Sequence, residues 1–573
     1  MRLRPAVDRA YPEHMYSSDD ERPAAGVTHT VLNQAPPRVD VDEYGTNIAL
    51  TEAVRTFGAD WAEDALHATG ELVGREDFQR DAELANTCPP RLHTHDRYGH
   101  RIDEVEFHPA YHRVMGSAVA AGAHTSAWAD PGPGANVARV AHFQLFSQIE
   151  AGHACPVSMT HAVVPSLQTT PELAREWLPK VYSRAYDPQL RDPATKDGVI
   201  FGMAMTEKQG GSDVRANTTR AVPASGTHGS GTYALTGHKW FCSAPQSDAF
   251  LVLAQTELHD ERHGDGGPAL SCFLVPRVLP GGERNPFAIQ RLKDKLGNHS
   301  NASSEIELAG TVGWLVGEEG RGVRTIVEMV NRTRLDCIIG TTAGMRQSVA
   351  EAAWHARHRS AFGALLVDQP AMTGVLADLQ LEAEAATWTM MRLAAAADED
   401  SPESAALMRL GVSVAKYWIC KRGPEHAYEA MECLGGNGYT ETFPLARRYR
   451  EQPVLAIWEG SGNVIALDVL RAMATAPVAV EAFLAEVGLA RGHTRLLDAH
   501  LDRTAALMRS AEPRTARQVV EAMALALQAS VLVRYAPATV ADAFVEARLG
   551  ADRSLIYGAL PTGVDLDAIV ARA

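Results

Sequence analysis

Apolar residues in NIALTEAVRTFGADWAEDALHATGELV recur every three or four positions, and the spacing returns in ANVARVAHFQLFSQIEAG. That period belongs to helices with one face turned inward, so residues 46–200 are expected to form a helical domain. From residue 201 to 312 the pattern shortens. Runs such as TYALTGHKWF, AFLVLAQT, LSCFLVP and SSEIEL alternate and are separated by Gly, Pro and Asp. This predicts short antiparallel strands closing into a barrel or sandwich. Helical spacing resumes over 313–472, in GVRTIVEMVNRTRLDCIIGTTAGMRQSVAEAAWHARHRSAF, PAMTGVLADLQLEAEAATWTMMRLAAAA and LMRLGVSVAKYWICKRGPEHAYEAMECL. Residues 473–573 read as a further helical tract with its own turns. The fold class is therefore α+β with an all-α tail, and residues 1–45 are expected to be a flexible extension.

A chain of 573 residues is too long for one core, which agrees with several domains. Hydrophobic content of 46% and charged content of 22% are ordinary for a globular protein. The sequence has no apolar run of roughly 18 residues, and the N-terminus lacks the apolar stretch of a secretory signal. Neither a membrane nor export is expected. Seven cysteines are scattered without a CxxC pair, a pattern that fits a reducing cytoplasm and excludes a disulfide framework. His93, His95, His100, His108 and His112 crowd one segment, but their spacing matches no zinc pattern and no metal is expected. The net charge of −16 repels nucleic acid as a whole, so any polyanion site must be local.

Four stretches carry candidate chemistry. In MAMTEKQGGSDV, Gly210, Gly211 and Ser212 expose backbone N–H groups beside the Thr206 hydroxyl. Such a surface suits a heterocycle edge or a pyrophosphate, with Trp240 and Phe241 as cover for a flat ring; the alternative is a glycine turn and a core aromatic. In CLGGNGYTETFP, Gly435 and Gly436 either admit a ligand or end a helix. In LAIWEGSGN, Glu459 lies between apolar residues and a small flexible run. An apolar setting raises a carboxyl toward the range a general base needs, although a lone Glu is more commonly a cap. RHRSAFGALLVDQP places Arg359, Phe362, Gly363 and Gln369 at a helix end, either a plain terminus or a cationic grip on phosphate.

Taken in order, MTEKQGGSDV, GHKWF, PQSDA, LVLAQT, RLKDKLGN, LGGNGY and IWEGSGN resemble the acyl-CoA dehydrogenase family, in particular its AidB-type branch of DNA-alkylation-response flavoproteins. The resemblance covers most of the chain. It implies an N-terminal helical domain, a central antiparallel β-barrel and a C-terminal helical bundle, with FAD bound between barrel and bundle in a homotetramer. Met203, Met205, Thr206, Gly211 and Ser212 would line the flavin edge and the pyrophosphate. Trp240 would stand behind the ring, with Cys242 or Ser243 near flavin N5. Arg359, Phe362 and Gln369 would reach FAD of a neighbouring subunit, and Gly435, Gly436, Ser461 and Asn463 would complete the grip. Glu459 falls at the position from which most of the family draws its base for acyl-CoA thioesters. The isovaleryl-type alternative falls at Thr333, which is not acidic.

The tail extends the resemblance to duplex DNA. From Arg471 onward eleven arginines balance eleven acids, but between 491 and 517 six arginines face three acids. Arg471, Arg491, Arg495 and Arg503 would make sequence-independent phosphate contacts; the alternative is a solvated helical face with internal ion pairs. AidB-type proteins are poor dehydrogenases, so low turnover is expected. A working metabolic dehydrogenase without a DNA role, or an FAD-stabilised scaffold, are the competing readings.

Overall fold

Helices Gly322–His358, Pro370–Asp398 and Pro402–Cys433 are 37, 29 and 32 residues long and form the frame of the molecule. The last two begin with proline at the first helical turn, where its missing N–H costs nothing, and Ser401 caps the third by accepting from the Ser404 N–H. The computed structural model describes residues 28–224, 231–257, 268–399, 401–551 and 553–573. Their faces are rich in Ala, Leu and Met, and Trp388, 1% exposed, sits in the shared core.

The strand region forms a seven-stranded sheet. Strand Thr232–Ser243 pairs antiparallel with Ser303–Val316, that strand with Pro268–Pro276, and Pro268–Pro276 with Ala249–Glu257. Arg220–Pro223 bridges Thr232–Ser243 back to Ala249–Glu257 and closes the ring. The expected barrel is present, with one refinement: Phe201–Ala204 and Arg220–Pro223 both run parallel to Ala249–Glu257. AFLVLAQT is buried on both faces because the barrel interior covers one and the N-terminal helices the other. Phe250, Val252 and Ala254 fill the barrel, while Leu251 and Leu253 pack outward with Trp177 and Leu167 of the N-terminal helices.

The tail is part of the main core. Helix Ala516–Tyr535 packs against both Pro370–Asp398 and Pro402–Cys433. The segment Pro513–Tyr535 has the length and composition of a membrane span, but 78% of its apolar window is buried inside the protein. Buried charges reinforce the join. Glu486 accepts from Arg392 and from Arg534, and Arg548 pairs with Asp378 and Glu382.

Residues 1–27 lie outside the described residues, but the rest of the expected flexible extension is fixed. Arg38 and Glu43 form a buried ion pair, the Asp40 N–H donates to the Gly74 carbonyl at 2.7 Å, and Tyr44 is fully buried. The segment is polar because its polar groups bond to the helical domain, and hydropathy alone cannot distinguish that from solvation. The histidine-rich segment forms a hairpin, Arg91–His95 with Arg101–Glu106, in which His93 pairs with Glu106 and His100 with Asp96. No group of three or more metal-ligating side chains gathers among the described residues.

Candidate active site

A cavity of about 620 Å³ lies where the N-terminal helices, the barrel and the bundle meet. The stretches singled out at 203–212, 243 and 459–461 converge on it: Met203, Met205, Thr206, Gly211, Ser212, Ser243, Glu459 and Ser461 all line it.

The glycine loop owes its shape to Glu207. Its carboxylate, fully buried, accepts from Lys239 Nζ at 2.8 Å, from the N–H and hydroxyl of both Thr218 and Thr219, and from Gln209 Nε2. The Lys239 charge and these donors hold the carboxyl well below its usual range against the opposing effect of burial. The Trp240 N–H donates to the Thr206 carbonyl at 2.8 Å, tying the loop to the strand. A Cβ on Gly211 would stand 2.4 Å from Thr206 Oγ1, so the turn can be this tight only with glycine. The N–H groups of Gly211 and Ser212 have no protein acceptor among the described residues. They remain as donors on the cavity wall, as a pyrophosphate or heterocycle edge requires.

Glu459 sits on the facing bundle, in the turn before helix Gly462–Thr475, with a left-handed φ of 56°. Three consecutive carbonyls hold that conformation. Lys416 Nζ donates to the Trp458 and Gly460 carbonyls at 2.9 and 2.6 Å, and Arg334 Nε donates to the Glu459 carbonyl at 3.1 Å. Lys416 is 1% exposed. Arg334 is itself held by Asp468 at 2.8 Å. Glu459 Oε2 is enclosed and has no hydrogen-bond partner. Burial pushes the carboxyl up; the Thr333 hydroxyl and the charges of Arg334 and Lys416 pull it back only in part. Thr333, the alternative base position, therefore faces the same carboxylate.

Two expected positions need correction. The register shifts between Lys239 and Cys242, a bulge that puts two successive residues on the outer side of the strand. Phe241 lines the cavity. Trp240 is covered instead by Lys293, whose Nζ lies 3.2 Å from the ring centroid. Cys242 points into the barrel, fully buried beside Phe250 and Ile306, so Ser243 is the hydroxyl beside the cavity.

Other expected residues lie outside this cavity. Arg359 donates to the Asn33 carbonyl, Gln369 to the Ala361 carbonyl at 2.9 Å, and Phe362 is wholly exposed at a φ of 54°. Gly435, at a φ of 58°, caps helix Pro402–Cys433, and no atom comes within 4 Å of a Cβ built on it or on Gly436. Asn463 accepts from Arg517 of the tail at 2.8 Å. Inspection of the sequence missed Glu207, Lys239, Arg334 and Lys416. A lysine at an inward strand position, Lys239 in GHKWF, is the signal that a buried acid must be near.

Similarity to known proteins decides what this cavity belongs to. AidB of Escherichia coli (strain K12) is 43% identical over 526 residues, spanning 91% of this chain and 94% of that protein. The chain belongs to the acyl-CoA dehydrogenase family. Three family models match in series: the adaptive response protein AidB N-terminal domain over 33–188, the acyl-CoA dehydrogenase middle domain over 202–311 and its C-terminal domain over 320–474. Acyl-CoA dehydrogenase family member 11 of Caenorhabditis elegans is 30% identical over 461 residues, 79% of this chain and 73% of that protein. The solved structure of Caenorhabditis elegans ACDH-11 in complex with C11-CoA superposes with a TM-score of 0.83 at 25% identity, covering 96% of each chain. Acyl-CoA dehydrogenases are FAD-dependent oxidoreductases.

Proposed function

We propose that this protein is an AidB-like acyl-CoA dehydrogenase that oxidises the Cα–Cβ bond of an acyl-CoA thioester, with Glu459 as the base. The observation that carries the reading is the unpartnered, buried Glu459 carboxylate oxygen in the cavity shared with the glycine loop. FAD fits the donor set: Met203, Met205 and Phe241 offer apolar contact to a ring, Ser243 a hydroxyl, and Gly211 and Ser212 free N–H groups. When bound, FAD supplies the acceptor for the hydride that leaves Cβ. Glu459 takes the proton from Cα, and burial keeps it a strong enough base to do so near neutral pH. Lys416 and Arg334 fix its direction through the backbone.

The test is anaerobic titration of the FAD-loaded protein with a panel of acyl-CoA thioesters, following the flavin absorbance. Wild type is expected to bleach with at least one chain length. Glu459→Gln is expected to retain FAD and lose bleaching; bleaching by this variant would remove Glu459 from the mechanism.

The placement of Arg359, Phe362, Gln369, Gly435 and Gly436 on the outer surface supports a second proposal, that they meet the flavin of another copy in a homotetramer. Sedimentation of the holoenzyme as a monomer would refute it. For duplex DNA, Arg471, Arg495 and Arg503 are exposed, while Arg491 is tied to Asp502 at 2.7 Å. Arg471 and Arg509 also border a groove of about 810 Å³ whose other lining, including Leu467, Leu470 and Met508, is apolar. We therefore assign DNA only a weak, salt-sensitive association, which Arg495→Ala with Arg503→Ala should abolish in a binding titration at low salt.

A further inference from the structure

The active-site cavity has a polar lining that neither the base nor the glycine loop uses. It comes from the turn after helix Ala135–Ser147 and from helix Pro444–Leu455. Gln148 is 3% exposed, and both the oxygen and the nitrogen of its amide lack a hydrogen-bond partner. Ser147 Oγ beside it is also unpartnered, and so is Gln452 Oε1. Glu451 accepts from the Asn298 N–H at 2.9 Å and from Asn298 Nδ2 at 3.3 Å. Gln144, Asn301 and Gln528 also leave both amide atoms unpartnered, but of the four only Gln148 lines the cavity, where a bound group can meet both needs. A hydrocarbon chain meets neither.

A carboxylate also fits poorly. The neighbouring cations each have an acceptor, Lys295 the Asn301 carbonyl at 2.6 Å, Arg447 the Ala82 carbonyl at 2.9 Å and Arg448 the Gln347 amide at 2.6 Å, although Arg448 Nε has none. A second anion would meet Glu451 and Glu150, which line the same cavity. A hydroxyl both donates and accepts, which matches Gln148 Oε1 and Nε2.

We propose that the Ser147–Gln148 turn recognises a hydroxyl on the distal end of the acyl chain, so that ω-hydroxyacyl thioesters are the preferred substrate class. This rests on the dehydrogenase reading of the cavity and names its specificity. It assigns Gln148 as the specificity-determining residue and Ser147 as its support.

The test compares butyryl-, hexanoyl- and octanoyl-CoA, each with its ω-hydroxy counterpart, on the FAD-loaded wild type. Calorimetry reads binding, and anaerobic flavin reduction reads turnover. In the pair whose length reaches Gln148, the hydroxylated member should bind about tenfold tighter. Gln148→Leu should reverse that preference, and Ser147→Ala, a smaller change with less effect on folding, should reduce it. If the plain thioester of every pair binds as well or better while flavin is reduced, the hydroxyl proposal fails and the dehydrogenase reading stands. If no thioester of either kind binds or reduces flavin, the dehydrogenase reading fails, and the proposal fails with it.

Discussion

Glu459 occupies a backbone conformation that a side chain rarely adopts, and two buried cations hold it there through carbonyls rather than through its carboxylate. The same two cations set its direction through the backbone and lower its pKa through their charge. Because burial raises the carboxyl, it is protonated at pH values where an exposed glutamate is ionised. The rate of flavin reduction should therefore rise with pH along a limb above the ordinary glutamate range, read by stopped-flow absorbance. Thr333→Val removes a group that lowers that pKa, so the limb should move to higher pH. Lys416→Met should also move it up and, by freeing the Trp458 and Gly460 carbonyls, slow reduction about a hundredfold with thioester affinity little changed. Lys416→Arg should recover part of the rate. A Lys416→Met enzyme with normal rate and pH profile would show that the clamp does not position the base.

Among the secondary-structure elements, the strand Thr232–Ser243 explains what the sequence could and could not reveal. Its alternation, and the glycine loop preceding it, marked a barrel wall with a ligand-facing turn, and the barrel is present. The bulge that exchanges Trp240 for Phe241 and turns Cys242 inward left no trace in the pattern, because inserting one residue into a ladder changes facing without changing composition. The Glu207–Lys239 pair was equally hidden, since its partners are 32 residues apart and meet only across the closed sheet. Glu207→Ala should leave Lys239 buried without a counter-charge and cost about 3–5 kcal/mol of stability, measured by denaturant unfolding. It should also lower FAD retention, since the loop loses its five threonine and lysine bonds. Glu207→Gln keeps acceptor and shape and should lose less of both.

Over the whole molecule, helical periodicity located the long helices but could not say which of them share a core. The tail looked separable by its position after the family-like motifs. In the structure its central helix, Glu486 and two arginines, Arg548 and Arg572, are bound into the bundle. A single calorimetric transition is therefore expected, with bundle and tail melting together. Glu486→Ala, which leaves Arg392 and Arg534 without their shared carboxylate, should lower that one transition by about 3–5 kcal/mol of stability. Two resolved transitions, with only the second sensitive to Glu486, would mean that the tail folds by itself.

The burial of helix Ala516–Tyr535 between earlier helices also has a consequence in time. About eighty residues of synthesis separate the end of helix Pro402–Cys433 from its start. At the usual pace of translation this is on the order of ten seconds. Throughout that interval the apolar flank that will receive it stands open to water, and a ribosome-bound chain paused there is a natural client for chaperones.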